Sequence, residues 1–418
     1  MRRCVVTAIV VTVIVGLPDL ARARDSAWSS IGFTELGVAA CSTPLSAADG
    51  GYGRLACGDG AGSSYAQARI GLDYEPNLEW RAHLHGLLRV RDGSDVGREL
   101  GLVEAYVERN WYLEPGARLR LRLGQSFLGN SRENTGPLWT SPDTLTLSAL
   151  NSWIAEELRP IGAELSWRRE FSEDTSFEAG IGSIQGNDTS GALLAWRGFA
   201  LHQRTAVLGE NVSTAPLLSL DPASGDFSLQ RLYRTQPFGR DLDGRLGYSA
   251  RGRLQIGAWR ALFTAADNRG DRRLYGDEYA WHTRFLIVGF EYADGGPLRV
   301  AGEWLQGHTQ MGLSPLPFVD AKFESAYLLG AWQFDPLWQL TLRAERFEIV
   351  EQDFSSAERN DETGHAQTIA LIYTPSAAWR FALEYLRLNG TRPGLADERG
   401  ATTDIGGNTL RFEIRRSF

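Results

Sequence analysis

Polar and apolar residues alternate with a period of two along most of this chain, and no other feature of it restricts the fold as severely. Leu78, Trp80, Ala82, Leu84, Leu88 and Val90 are interleaved with Glu79, Arg81, His83, His85 and Arg89. Leu119, Leu121 and Leu123 alternate with Arg118, Arg120 and Arg122. Trp338, Leu340, Leu342 and Ala344 alternate with Gln339, Thr341, Arg343 and Glu345, and Trp379, Phe381, Leu383 and Tyr385 with Arg380 and Glu384. Successive side chains of a strand point to opposite faces, so each segment carries one greasy face and one charged face.

The segments are joined by connections of two kinds. Tight turns stand at Glu75-Pro76-Asn77, Glu114-Pro115-Gly116, Asp294-Gly295-Gly296-Pro297, Asp335-Pro336 and Pro375-Ser376. Between them lie long polar connections at 91–100, 128–158, 268–277, 310–322, 351–363 and 390–404. Short turns at one end and long loops at the other are the pattern of an all-β, antiparallel, up-and-down transmembrane barrel. Fifteen strands are readable, beginning near residues 64, 78, 102, 117, 161, 176, 243, 259, 281, 298, 323, 338, 365, 379 and 408. Parity requires one earlier strand, placed at Ile31 to Ala40, which makes sixteen. Residues 186–242 are read as one loop; pairing Gly191–Leu201 with Phe227–Tyr233 is the alternative and gives eighteen.

Arg2 and Arg3, the apolar run Val5–Leu17, Pro18 and then Ala21-Arg22-Ala23 form a secretory signal over 1–23. Residues 24–418 are then one barrel domain. Cleavage removes three arginines and one aspartate, so the formal charge of −8 becomes −10 (−8 minus 2). That balance offers no footprint for nucleic acid. No apolar run reaches the length of a membrane helix, and apolar residues spread over the whole chain exclude disorder. Cys41 and Cys57 remain after cleavage, in the first outer loop; one disulfide is expected, two free thiols being the alternative.

At the C-terminus, Leu410, Phe412 and Ile414 alternate with Arg411, Glu413 and Arg415, and the chain ends at Phe418. Here the sequence resembles the Gram-negative outer-membrane β-barrel porins, whose last strand ends in an aromatic residue read by the barrel-insertion machinery. Arg416 departs from that pattern, in which a hydrophobic residue is common. The resemblance implies location in the outer membrane, contact with its lipid, an insertion role for Phe418 and, as one candidate assembly, a homotrimer.

With the greasy face outward, the charged face lines the interior. Inward arginines are expected at Arg69, Arg81, Arg89, Arg118, Arg120, Arg122, Arg168, Arg245, Arg251, Arg253, Arg299, Arg343, Arg380 and Arg411. Inward acids are expected at Asp73, Glu79, Glu104, Glu108, Glu164, Glu178, Glu303, Glu345, Glu384 and Glu413. Sixteen strands leave a bore too wide for side chains to fill. If the strands bring Arg118, Arg120 and Arg122 beside Arg251 and Arg253, the wall favours anions; the alternative is that carboxylates pair with them and the wall is merely stiffened. Loop 128–158 has helical spacing over Thr144–Leu158, and the resemblance implies that it folds inward as a constriction. Arg132, Glu133, Glu156 and Glu157 would then face the arginine wall. Segment 186–242 competes for that role.

The chain has no nucleophile elbow, zinc-protease helix or phosphate loop. His83 and His85 read as polar lining, and Asp241-Leu242-Asp243-Gly244 as a turn. No cofactor or metal is expected. A passive porin for small hydrophilic solutes leads, without enzymatic activity. A polysaccharide export or surface-assembly barrel is the alternative, and a barrel enzyme the third reading.

Overall fold

Alternating β-branched, aromatic and leucine positions do form strands, and turn chemistry joins them. The computed structural model describes residues 27–418 apart from 48–49, 58–61, 92–97, 129–130, 231–233, 236–239, 354–358 and 399, so the expected signal lies outside the described residues. The strands are β1 (Trp28–Ser42), β2 (Gly62–Asn77), β3 (Trp80–Arg91), β4 (Leu100–Glu114), β5 (Ala117–Gln125), β6 (Ile161–Glu170), β7 (Thr175–Gln185) and β8 (Gly247–Ile256). They continue as β9 (Trp259–Asp267), β10 (His282–Ala293), β11 (Leu298–Met311), β12 (Val319–Asp335), β13 (Trp338–Glu351), β14 (Glu362–Ser376), β15 (Trp379–Thr391) and β16 (Gly407–Ser417). Each pairs antiparallel with its chain neighbours, and β16 closes on β1 from Phe33↔Ser417 to Ser42↔Asn408. The barrel therefore has sixteen strands, each starting within four residues of its expected position.

The eighteen-strand alternative fails because Ala192–Trp196 is a short helix buried inside the barrel. Val212–Ser213 and Arg234–Thr235 form only a two-residue ladder, separate from the barrel sheet.

Aromatic pairs across neighbouring strands mark the turn end: Trp28 with Tyr74 (4.7 Å between rings), Trp259 with Tyr292 (4.9 Å) and Trp338 with Tyr373 (4.5 Å). Above this girdle the outward side chains are apolar and exposed, among them Ile181, Leu254, Leu328, Leu342, Ile369 and Phe412. Such a belt is stable only against lipid. This is a transmembrane barrel of the outer-membrane type.

The alternation inverts partway up the loop end of β12–β15. On β13, Thr341, Arg343 and Glu345 point inward and Leu340 and Leu342 outward; two residues on, Phe347 and Ile349 are buried inside while Arg346 and Glu348 are exposed outside. The interior apolar residues meet two inward-folded loops. Loop 126–160 carries α1 (Ala149–Glu157), and loop 186–246 carries α2 (Ala192–Trp196). Trp153 packs edge-on to Phe285 (5.3 Å) and Phe323 (5.2 Å), Trp196 to Trp281 (5.0 Å), and Phe199 lies against Phe347 (5.4 Å). All nine residues of α1 are buried, as a helix enclosed on every side must be.

Candidate functional site

Two very different inner faces result. On β5–β8 the lumen wall carries a dense set of guanidiniums. Arg118, Arg168, Glu178 and Arg253 lie in one cross-strand row, and Arg120, Ser166, Gly180 and Arg251 in the next. Their carboxylates are shared. Glu178 is 3.0 Å from Arg120, 2.9 Å from Arg251 and 3.8 Å from Arg253. Glu108 serves Arg122 (2.8 Å) and Arg120 (3.5 Å), and Glu164 serves Arg251 (2.7 Å) and Arg120 (3.9 Å). Arg168 reaches Glu170 on its own strand at 2.9 Å. Arg118 makes no ion pair among the described residues. Six cations thus face four carboxylates, Glu108, Glu164, Glu178 and, at the turn end, Glu170. Arg168 and Arg253 keep 39% and 38% of their side chains exposed.

The remaining inner wall is covered. Arg343 donates to Thr146 O (2.7 Å) and pairs with Glu133 and Glu345. Glu384 accepts from Leu145 N (2.6 Å) and Thr146 N (3.0 Å), and Glu345 from Ala149 N (2.8 Å). Glu303 accepts from Arg132 N (2.8 Å), Ser131 Oγ (3.0 Å) and Asn151 Nδ2 (2.9 Å). Arg411 donates to Thr146 Oγ1 (2.9 Å), Arg380 to Pro142 O (3.2 Å), Arg69 to Thr205 Oγ1 (3.1 Å) and Arg89 to Thr205 O (2.7 Å). A buried guanidinium carries five donors and only one charge, so backbone carbonyls of an adjacent loop suit it.

These placements divide the expected lumen arginines. Arg118, Arg120, Arg122, Arg251 and Arg253 form the shared wall. Arg69, Arg89, Arg343, Arg380 and Arg411 instead anchor loops, and Arg81 is held by Asp73 (2.8 Å) near the turn end. Arg245 is corrected: it is exposed in the loop before β8. Glu79 is likewise outside the wall, in the turn after β2, paired with outward Arg109 at 2.7 Å.

The expected facing of the loop charges also needs correction. Glu133 pairs with Arg343, and Arg132 lies 4.0 Å from Glu291 with 15% of its side chain exposed. Glu156 and Glu157 face the second loop, not the arginine wall. Glu156 holds Arg197, His202 (2.9 Å) and Arg204 (3.8 Å); burial raises its carboxyl, but the two guanidiniums and the hydrogen-bonded imidazole outweigh it and hold it well below the usual range. Glu157 accepts from Leu193 N (3.1 Å) and from the Trp153 indole. Burial pushes its carboxyl up to about 7 against those hydrogen bonds. Loops 126–160 and 186–246 are therefore one packed unit rather than competitors. Sequence reasoning missed Arg197, Arg204 and Glu210, the last pairing with Arg89 and with Arg204 (2.6 Å); the available signal was charge set inside otherwise apolar loop segments.

Cys41 and Cys57 are disulfide-bonded, with Cα atoms 6.3 Å apart, tying the top of β1 to its loop. Phe418 exchanges backbone hydrogen bonds with Gly32 (3.0 and 3.2 Å). A Cβ on Gly32 would stand 2.5 Å from the Phe418 ring, so a side chain there would displace the terminal ring. Arg416 lies over the Trp379 ring at 5.7 Å, which seats a cation at an outward position.

His83 and His85 bond Asp73 (2.8 Å) and Glu104 (3.5 Å) rather than sharing a ligand position. Oxygens of Asp188, Asp241 and Asp243 gather within 4.8 Å. They accept from N–H groups of Leu242, Gly244 (2.8 Å), Arg245 (2.8 Å) and Asp271 (2.8 Å), bracing the expected turn.

No protein-family model matches the chain, and no curated protein matches it in sequence. Solved structures do match in fold. An anion-selective porin of Comamonas acidovorans is 12% identical, with a TM-score of 0.53 over 94% of this chain and 99% of that one. The outer-membrane channel DcaP of Acinetobacter baumannii is 13% identical, with a TM-score of 0.52 over 94% and 97%. The trimer form of OmpT, an outer-membrane protein of Vibrio cholerae, is 10% identical, with a TM-score of 0.50 over 94% and 100%. At such identities the likeness is one of fold: this chain has the sixteen-stranded barrel fold of outer-membrane porins.

Proposed function

We propose that the chain is an outer-membrane porin, a passive water-filled channel for small hydrophilic solutes, with a preference for anions and no enzymatic activity. The observation that carries this reading is the shared carboxylates of β4–β8: six guanidiniums against Glu108, Glu164, Glu178 and Glu170 leave a fixed excess of positive charge on that face. Fixed charge beside water concentrates counter-ions and so selects anions. The fold shared with an anion-selective porin supports it. Homotrimer assembly, supported by the trimer form of a protein of the same fold, and insertion through the Phe418 strand belong to the same proposal.

The test is planar-bilayer conductance of the refolded chain 24–418, with reversal potential in a salt gradient. Stable open steps with an anion-selective reversal potential are expected. Cation selectivity would remove the anion preference. A barrel silent at every voltage would remove the channel and favour the export or surface-assembly reading.

A further inference from the structure

The surplus of positive charge on β5–β8 is gathered at one end. Toward the loops the wall is balanced: Arg122 takes Glu108 at 2.8 Å, Arg251 takes Glu164 at 2.7 Å, and Arg120 takes Glu178 at 3.0 Å. That leaves Arg118, Arg168 and Arg253, which stand in the one cross-strand row close to the turns. Arg118 makes no ion pair among the described residues. Arg168 has only Glu170, a carboxylate 53% exposed at the turn, and Arg253 has only a distant share of Glu178 at 3.8 Å. The Nε–H groups of Arg168 and Arg253 are buried without a hydrogen-bond partner among the described residues. Arg118 and Arg168 are direct cross-strand partners, so their Cβ atoms stand about 4.5–5.5 Å apart. Like charges set opposite each other in a sheet repel, and no carboxylate of the wall lies between these two.

Two facts limit what can settle that repulsion. Two guanidiniums this close call for two negative charges on one small group. A carboxylate brings one charge and fills one guanidinium fork, whereas a phosphate monoester brings about −1.5 to −2 near neutral pH and three acceptor oxygens. A solute with its two charges spread along β5 would instead meet Arg120, which is already neutralised. The row on the turn side of Arg168 and Arg253 carries Ser176 and Gln255, a hydroxyl and an amide, both half-buried. Such neutral donors and acceptors suit the hydroxyls of a small ester. This end of the barrel is the periplasmic mouth, because the short turns of an outer-membrane barrel lie there.

We propose that Arg118 and Arg168, with Arg253 beside them, seat the phosphate of a small monoester at the periplasmic mouth, its hydroxyls toward Ser176 and Gln255. The role of this seat in permeation rests on the anion-channel reading; its affinity is measured without conduction. Calorimetric titration of the refolded chain 24–418 at low salt uses glycerol phosphate, inorganic phosphate, sulfate and acetate as probes. Glycerol phosphate should bind at least about fivefold tighter than acetate and about twofold tighter than inorganic phosphate at about pH 8, and weaken about fivefold at about pH 5, where a monoester of second pKa about 6 has lost one charge. Sulfate, a dianion at both values, should bind equally at both, which separates titration of the ligand from titration of the protein. Arg118→Gln/Arg168→Gln should lose about fivefold or more in affinity for glycerol phosphate, the effect expected of two partly exposed charge contacts. Arg284→Gln/Arg346→Gln, which removes the same charge from exposed outward positions, should stay within about twofold of wild type, screened by distance and salt. Heat-modifiable migration reports the folding of both variants. Unchanged affinity in Arg118→Gln/Arg168→Gln, or an equal loss in both double variants, would overturn the seat. Acetate bound as tightly as glycerol phosphate would overturn dianion recognition, and inorganic phosphate bound as tightly would overturn the ester as its source. Binding by a barrel that is silent in bilayers would remove the channel and leave the seat, whereas anion-selective conductance without binding would remove the seat and leave the channel.

Discussion

Replacing Arg343 by methionine tests whether ion pairs on the inner wall hold the inward loop. The guanidinium is wholly buried and satisfies Glu133, Glu345 (3.0 Å) and the carbonyl of Thr146 (2.7 Å). Methionine keeps much of the length and none of the charge. Glu133 still accepts from Ser148 N (3.0 Å), Ser148 Oγ (2.6 Å) and Asn151 Nδ2 (2.8 Å), but its charge and that of Glu345 lose their cation. Breaking one side of a buried pair costs about 3–5 kcal/mol. At about 1.4 kcal/mol per decade, local opening of residues 131–157 should rise from about a hundredfold to several thousandfold. Hydrogen exchange at the Ser148 and Ala149 amides reads this directly, because those amides bond Glu133 and Glu345. Adding Glu133→Gln removes one stranded charge and should slow exchange again by about tenfold. Exchange in Arg343→Met within about threefold of wild type would refute the claim that this pair anchors the loop.

Other perturbations probe the remaining parts. Arg118→Ala with Arg253→Ala should move the reversal potential toward cations by a ratio of about two per charge at 0.1 M salt, from roughly 0.2 kcal/mol of screened potential across about 8 Å of water; an unmoved potential would place selectivity elsewhere. The Glu157 carboxyl, raised to about 7 by burial, binds a proton more tightly in the packed loops than in opened ones. Its contribution is therefore fully present below pH of about 4.5 and lost as pH rises through about 7. Trp153 fluorescence, whose indole bonds Glu157, should report looser packing at pH 8 than at pH 5, and Glu157→Gln should erase the difference. Ile369→Arg puts a charge in the lipid belt and should lower barrel stability in vesicles by about 2–4 kcal/mol in urea unfolding, whereas His365→Arg, four residues outward, should cost little.

The barrel was legible because every strand repeats one local rule. Sheet pairing of consecutive strands follows from short turns, so Leu119–Arg122 or Trp338–Glu345 announce their faces without knowledge of any distant residue. The packing of loops into the interior was not legible in the same way. Arg343 and Arg118 are both inward arginines on alternating strands, yet one is sealed beneath a loop and the other faces water. That difference is set by Glu133 and Thr146, some two hundred residues away in sequence from Arg343. One local signal did exist. At Arg346, Phe347, Glu348 and Ile349 the alternation continues, but with its polar and apolar phases exchanged relative to Leu342 through Glu345. An exchange of phase within an unbroken strand means that the wall has left lipid outside and met an apolar core inside.

That core also bears on which solutes a channel of this shape can pass. Opening it for a chain-like polymer would expose Trp153, Trp196, Phe199 and Phe227, each nearly inaccessible in place. Aromatic side chains bury roughly 150–250 Å² each, and at about 25 cal/mol per Å² the four together cost on the order of 15–25 kcal/mol to uncover. A membrane potential supplies only about 2.3 kcal/mol per elementary charge per 100 mV. No plausible gating charge on Glu156, Arg197 and Arg204, which already neutralise one another in part, covers that difference. The packed unit therefore behaves as a fixed stopper over β10–β16 and β2–β3, and a solute in the proposed channel travels along the arginine face of β5–β8. Conductance should accordingly show no voltage-driven opening to larger steps up to about 200 mV. Reversible large steps within that range would mean that the aromatic core moves as a lid, and would put the polymer conduit ahead of the porin.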